Sequence, residues 1–312
     1  MARYEENQLW QEFEPQQVKP VIEFLDYLAQ QKNYSSLTIE NYQRQLIKLL
    51  QFTKENALQN WAQVKPIHIR QLSAKHHRLG ASAKTIALLL SAGRRFFEYL
   101  VFQERLQSNP AKGVKAPKIP KNLPKTVAVD QLSALLSGID TSEEIGVRDL
   151  AIAELFYSSG LRLAELVRLN LDDLDINQAT ARILGKGRKE RIVPVGRIAL
   201  RTIKQWLNIR HIWLSGQADQ ALFITRQKNR LTPRSIQKRM EYWGKVVGLN
   251  GRLHPHKFRH SCATHILESS GDLRAVQELL GHANLSTTQI YTHLDFQQLA
   301  KVYDSAHPRA KK

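Results

Sequence analysis

Residues 254–291 read HPHKFRHSCATHILESSGDLRAVQELLGHANLSTTQIY, and the chemistry of this stretch governs how the rest of the chain is read. His254-Pro255 opens a helix, proline being at home in a first turn where its missing amide costs nothing. His256 and Arg259, three residues apart, share one face of it. Gly271 ends that helix, Asp272 caps DLRAVQELL, and Gly281 ends the next. The loop HANLS then delivers His282, and Ser286 caps a last segment carrying Tyr291. Such a set suits a phosphodiester: guanidinium grips two phosphate oxygens in a fork, and a tyrosine oxygen is a possible nucleophile.

Working outward, Arg162 stands at the start of a helix in SSGLRLAEL, just past the helix-ending Gly160, with Glu165 one turn on. Ahead of it, Thr141-Ser-Glu-Glu144 reads as a capping box for VRDLAIAELFYSSG, and Asp130 opens a shorter helix through Leu136. TARILGKGRKERIVPV reads as two strands joined by Gly185-Lys-Gly-Arg188. That turn lacks the spacer and the Ser/Thr after lysine that a P-loop needs for Mg-nucleotide. Lys186 and Lys189 sit on it. Thr232-Pro233 opens PRSIQKRMEYWGKVVG, whose Arg234, Lys238 and Arg239 make it a groove-facing candidate, while Leu231 and Met240 belong to the core. His256 and His260 have a spacing that can hold zinc, but Arg259 between them repels a cation, so no metal site is expected.

Composition agrees with a nucleic-acid partner. Lys+Arg 46 against Asp+Glu 28 leaves the chain at +18. Such an excess most often meets a polyanion, with a basic membrane-surface or ribosome-associated protein as the rival readings. The single cysteine, Cys262, excludes an internal disulfide framework, suits a reducing cytoplasm, and is expected to be a packing residue. The first twenty residues are polar and partly acidic, so no signal peptide is expected, and no apolar run approaches a membrane span.

Length favours two domains of ordinary size. In 14–108, VIEFLDYLAQQ puts Val21, Phe24, Leu25 and Leu28 on one stripe; Ser35 or Ser36 caps a second helix, a third runs from Pro66 to Arg78, and Ser82 caps a fourth. This all-α region is mildly basic, so its function lies in charge placement: Thr38, Tyr42, Arg44, Lys84, Arg94 and Arg95 can reach phosphates from helix faces. Residues 109–126, NPAKGVKAPKIPKNLPKT, hold four prolines and five lysines without an acid. They read as a stiff basic linker whose lysines meet phosphate. Residues 127–312 form the second domain, with a tail, 295–312, carrying an apolar stripe of Phe296, Leu299 and Val302.

The separated motifs Arg162, Lys186, His256-x-x-Arg259, His282 and Tyr291, in that order, resemble the signature of the tyrosine site-specific recombinases, and the run from His254 to Phe296 is similar to their bacterial Xer branch. That resemblance implies a mainly α, two-domain fold. A four-helix, SAM-like core-binding domain and a mixed α+β catalytic domain with a small β-sheet would form a clamp around double-stranded DNA. It also implies six catalytic residues. Tyr291 is the nucleophile forming a 3′-phosphotyrosine, Arg162 and Arg259 grip the scissile phosphate, and His282 bonds the same phosphate. Lys186 protonates the leaving 5′-oxygen, with Glu165 as a supporting carboxylate. No cofactor is required, because the covalent bond keeps the phosphodiester energy. His256 is the chosen proton acceptor, since an unperturbed tyrosine has a pKa of about 10.

Further implications are strand exchange through a four-way junction at a dif-like site with two half-sites, and a related recombinase, XerD, in a heterotetramer. An FtsK-type translocase would act as regulator, and the tail would enter a groove on the neighbouring subunit. A phage or mobile-element integrase, a type IB topoisomerase-like enzyme and a non-catalytic DNA-binding regulator are the alternatives.

Overall fold

The computed structural model describes residues 10–118, 127–185, 190–214, 216, 219–249, 252–281, 299 and 302–310. The chain divides into two compact units, Met1–Leu123 and Pro124–Lys312.

The first unit is built on α1 (Pro15–Gln30), α2 (Ser36–Glu55), α3 (Pro66–Arg78) and α4 (Ala83–Phe102). Ser35 and Ser82 cap α2 and α4, their hydroxyls accepting from the amides of Thr38 and Thr85. The stripe Val21, Phe24, Leu25 and Leu28 is fully buried, and meets Leu46, Leu49 and Leu50 of α2 and Phe96 and Phe97 of α4. Leu37 is the exception among the apolar positions of α2, lying 62% exposed in its first turn. Part of the expected linker is folded onto this unit. Ala111 and Val114 are buried in its core, and the Arg94 guanidinium donates to both their carbonyls, at 3.4 and 3.1 Å.

In the second unit the central element is α6 (Glu144–Ser159), which follows α5 (Val129–Ser137) and is buried on nearly every side, including Arg148, Asp149 and Glu154. It packs against α8 (Arg197–Leu214) and α10 (Pro255–Ser270). The capping box expected at Thr141–Glu144 does not form: Glu143 is the N-cap and makes no side-chain cap. Glu144 is drawn away instead, accepting from the Trp213 indole at 2.7 Å and from Arg226 at 3.2 Å.

Gly160 ends α6 in the left-handed region, φ +58°, where a Cβ would come within 3.0 Å of Leu280 and 3.4 Å of Cys262. Only glycine serves both needs. The short α7 (Leu163–Arg168) follows, then an antiparallel sheet in the order β1 (Leu174–Asp175), β2 (Thr180–Leu184), β3 (Glu190–Pro194). Ile183 pairs with Arg191, and both turn toward the core face. Then come α9 (Pro233–Val246), α10 and α11 (Leu273–Leu280), with Thr232 and Asp272 capping as expected.

The described part of the tail, 299 and 302–310, lies on its own unit; Phe296 lies outside the described residues. Leu299, Tyr303, Ala306 and Ala310 join the core. The Tyr303 hydroxyl meets Ser158 Oγ at 2.8 Å, the His307 ring meets the Tyr157 carbonyl at 3.1 Å, and Arg309 pairs with Glu154 at 3.1 Å. Among the described residues no helix is long and apolar enough to cross a membrane.

Candidate phosphodiester site

Three element ends converge in the second unit: the start of α7, the inward face of β3 and the C-terminus of α11. Arg162 is the residue before α7, and Glu165 folds back to accept its amide at 2.8 Å and its Nη1 at 2.8 Å. From the other side Arg191 donates a parallel fork to the two Glu165 oxygens, both contacts at 2.9 Å. The carboxylate therefore accepts four hydrogen bonds. Burial pushes its pKa up, but the bonds from Arg191 and from the Arg162 amide outweigh that, leaving it below the ordinary range.

Arg259, on the buried face of α10, sends Nη1 to the Gly160 carbonyl at 2.6 Å and Nη2 to the Leu280 carbonyl at 2.7 Å. Arg191 Nε reaches the Leu279 carbonyl at 3.3 Å, and Arg162 Nη2 comes within 3.5 Å of the Gly281 carbonyl. Three guanidiniums thus gather at the last carbonyls of α11, the negative end of a helix dipole. Burial first, and the Arg162 charge second, push Arg259 down to about 10, so it stays cationic at neutral pH.

Three arginines against one carboxylate leave two positive charges uncompensated by side chains, and the Arg162 side chain is 39% exposed while Glu165 and Arg191 are below 8%. A preorganised surplus that opens outward at one guanidinium is suited to an anion whose charge grows during reaction. His256 is exposed on the first turn of α10, three residues from the buried Arg259. Lys186, His282 and Tyr291 lie outside the described residues; the described chain reaches Gly281, immediately before His282. Among the described residues no group of three or more His, Cys, Asp or Glu has the arrangement to hold a metal.

Arg191 was missed from sequence. A signal existed: in ERIVP the inward positions are Arg191 and Val193, so a charge occupies a core position of a strand.

The candidate DNA contacts divide. Lys84 is exposed, and Arg44 and Arg95 are exposed while bonding Asn41 and Tyr34. The Thr38 hydroxyl pairs with Ser35 at the α2 cap, and Tyr42 is half-buried with its ring edge-on to Phe24. Arg94 is turned inward, as described. Arg234 and Lys238 are exposed on α9, whereas Arg239 is ion-paired to the fully buried Asp149 and lies over the Tyr242 ring.

Residues 21–104 match the phage integrase N-terminal SAM-like domain, and residues 125–298 match the phage integrase family. Tyrosine recombinase XerC of Escherichia coli O157:H7 (strain EC4115 / EHEC) is 52% identical over 289 residues, 93% of this chain and 96% of that protein. The XerC of Shigella flexneri shows the same identity and coverage. Among solved structures, XerH recombinase bound to difH substrate in a pre-cleavage complex is 25% identical with a TM-score of 0.67, over 88% of this chain and 80% of that one. A lambda integrase(75-356) dimer on a COC' core site shares the fold at 14% identity and a TM-score of 0.65, over 88% of this chain and 99% of that one.

Proposed function

Because the chain belongs to the phage integrase family and is a site-specific tyrosine recombinase, an enzyme that exchanges strands of DNA, we propose the following division of labour. Tyr291 Oη attacks the scissile phosphorus and passes its proton to His256. The bond to the 5′-oxygen breaks, and Lys186 supplies the proton that oxygen needs. A 3′-phosphotyrosine and a free 5′-hydroxyl result, with no change of oxidation state and no nucleotide spent. Arg162 and Arg259 neutralise the charge that grows on the phosphoryl oxygens, and His282 bonds the same phosphate. Reversal with a 5′-hydroxyl from a second duplex completes the exchange, through a four-way junction.

The observation that supports this reading most directly is the arginine surplus at the end of α11, one residue short of His282. Two guanidiniums supply the positive field, so the reaction is proposed to need neither metal nor ATP.

The biological setting follows the relatives. We infer action at a dif-type site in the cytoplasm, resolving chromosome dimers during cell division, with XerD as the second recombinase and an FtsK-type translocase as regulator. Arg44, Lys84, Arg95, Arg234 and Lys238 are the described candidates for phosphate contacts outside the reacting centre.

Covalent trapping tests the scheme. The protein is incubated in EDTA with a duplex carrying a dif half-site nicked beside the scissile phosphate, then denatured. A protein–DNA adduct is expected from the native chain, and Tyr291→Phe is expected to bind the duplex yet form none. An adduct that persists in Tyr291→Phe overturns the nucleophile; one that requires a divalent cation overturns the metal-free scheme.

A further inference from the structure

Arg191 is the one buried guanidinium of the cluster to which the reaction above gives no work. An Arg162–Glu165 pair standing alone at i,i+3 spacing, with the arginine 39% exposed, would hold its geometry weakly. In the structure the carboxylate is gripped from behind by the bidentate fork of Arg191, which fixes its plane. Each Glu165 oxygen is thereby shared. Arg162 receives one oxygen for Nη1 and the other for its amide, and cannot swing round to take both with its side chain.

The same arginine also reaches the other side of the site. Its Nε donates to the Leu279 carbonyl, and its stem lies against Gly281, where a Cβ would come within 3.0 Å of Cδ and 3.1 Å of Nε. Gly281 is left-handed, φ +61°, and is the residue before His282. Arg191 itself is on β3, five residues after Lys186 in the sequence and paired with Ile183. One side chain therefore ties the Arg162 support, the turn that leads to His282 and the strand that follows Lys186.

We propose that Arg191 is a positioning residue for strand cleavage: through Glu165 it holds the Arg162 guanidinium toward the phosphate, and through Leu279 and Gly281 it sets the turn from which His282 departs. The proposal rests on the reading that Arg162 neutralises the scissile phosphate. Its mode of action has a chemical signature. Replacing one non-bridging oxygen by methyl removes the phosphate's negative charge, so a reaction lacking only its neutralising guanidinium is relieved by the neutral substrate. A fold that is merely loosened gains nothing from it.

The test uses the full chain and nicked half-site duplexes whose scissile group is either phosphate or methylphosphonate. Arg191→Gln, Arg191→Lys and the charge-balanced double variant Glu165→Gln/Arg191→Gln are compared with Arg162→Ala. Adduct formation on phosphate is expected to fall on the order of 100-fold in the Arg191 variants, the scale of a reacting group displaced by about an ångström, with duplex binding retained. On methylphosphonate the deficit is expected to shrink by about tenfold or more, as it does for Arg162→Ala, since the missing electrostatic contribution is no longer needed. Should Arg191→Gln fail to fold, Arg191→Lys, which keeps the charge and loses the fork, gives the same comparison.

Unchanged cleavage by the Arg191 variants, or an equal loss on both substrates while Arg162→Ala is relieved, overturns the proposal and leaves the role of Arg162 standing. If Arg162→Ala itself shows no relief, the phosphate-contact reading falls and this proposal with it.

Discussion

Two buried carboxylates in the second unit each hold two arginines, yet only one of them sits in a site suited to chemistry. Asp149, fully buried on α6, accepts from Arg148 and Arg239 and from the Trp243 indole at 2.9 Å. Arg148 spends its remaining arm on the Ile224 carbonyl, and Arg239 stacks on aromatic rings. Glu165 accepts from Arg162 and Arg191, but its neighbour is a third guanidinium, Arg259, whose own partners are backbone carbonyls. An uncharged donor completes the first cluster, whose surplus is one positive charge, whereas a third guanidinium held only by backbone carbonyls raises the surplus of the second to two. The difference teaches that pairing alone does not mark a reactive site; what is left over and where it faces does.

Removing the acid separates the two. Asp149→Asn is expected to cost about 3–5 kcal/mol in denaturant unfolding, the scale for breaking a buried pair, while adduct formation per folded molecule stays native. Glu165→Gln also turns one accepting oxygen into a donor that faces donors, so it too is expected to lose stability, but here adduct formation per folded molecule falls as well, on the order of 100-fold through misplacement of Arg162. Equal losses of adduct formation per folded molecule in both variants would erase the distinction.

Gly160→Ala sharpens it at the point where Arg259 enters. The left-handed backbone alone costs a side chain about 1–2 kcal/mol, and the added methyl presses Leu280 at the end of α11. Cleavage by the folded variant is expected to fall further than its stability predicts, measured as adduct per folded molecule against the unfolding midpoint.

The tail gives the smallest and most diagnostic effect. Burial pushes Glu154 up to about 7 against the pull of Arg309, and burial pushes His307 down to about 4. The raised Glu154 contributes stability that is present below its unfolded value of 4.5 and lost as pH rises toward 7. The lowered His307 does the opposite, contributing stability above 6.5 that is lost as pH falls toward 4. Between 4.5 and 6.5 unfolding releases one proton from Glu154 and takes one up at His307, so the contributions of these two groups nearly cancel there. Compared with the native chain at each pH, each single variant exposes the other slope, at most about 1.4 kcal/mol per pH unit. His307→Asn should gain stability on acidification and Glu154→Gln should lose it, both read by urea titration across that window.

Local chemistry made much of this legible in advance. Ser35, Ser82, Thr232 and Asp272 cap where a short oxygen precedes an apolar period, and Gly160, Gly271 and Gly281 all adopt the left-handed terminus expected of them. The Arg162–Glu165 pairing needs only i,i+3 spacing, and it forms. What sequence could not supply is the long-range choice of partner. Glu144 would have capped its own helix had Trp213 and Arg226 not been there to take it. Arg94 and Arg239 read as surface cations because nothing local shows the carbonyls of Ala111 and Val114, or the carboxylate of Asp149, waiting for them. Arg191 reads as one more charge in a basic hairpin until the register turns it inward.

The Arg94 clip has a practical corollary for anyone dissecting the chain. A fragment ending at Ser108, where the helical pattern stops, would strip two carbonyls from Arg94 and Asn109 from the Arg94 carbonyl, and would open the sockets of Ala111 and Val114. An expression boundary drawn after Ala116 keeps all of them. In limited proteolysis the first unit should accordingly resist trimming until the cut falls beyond Val114.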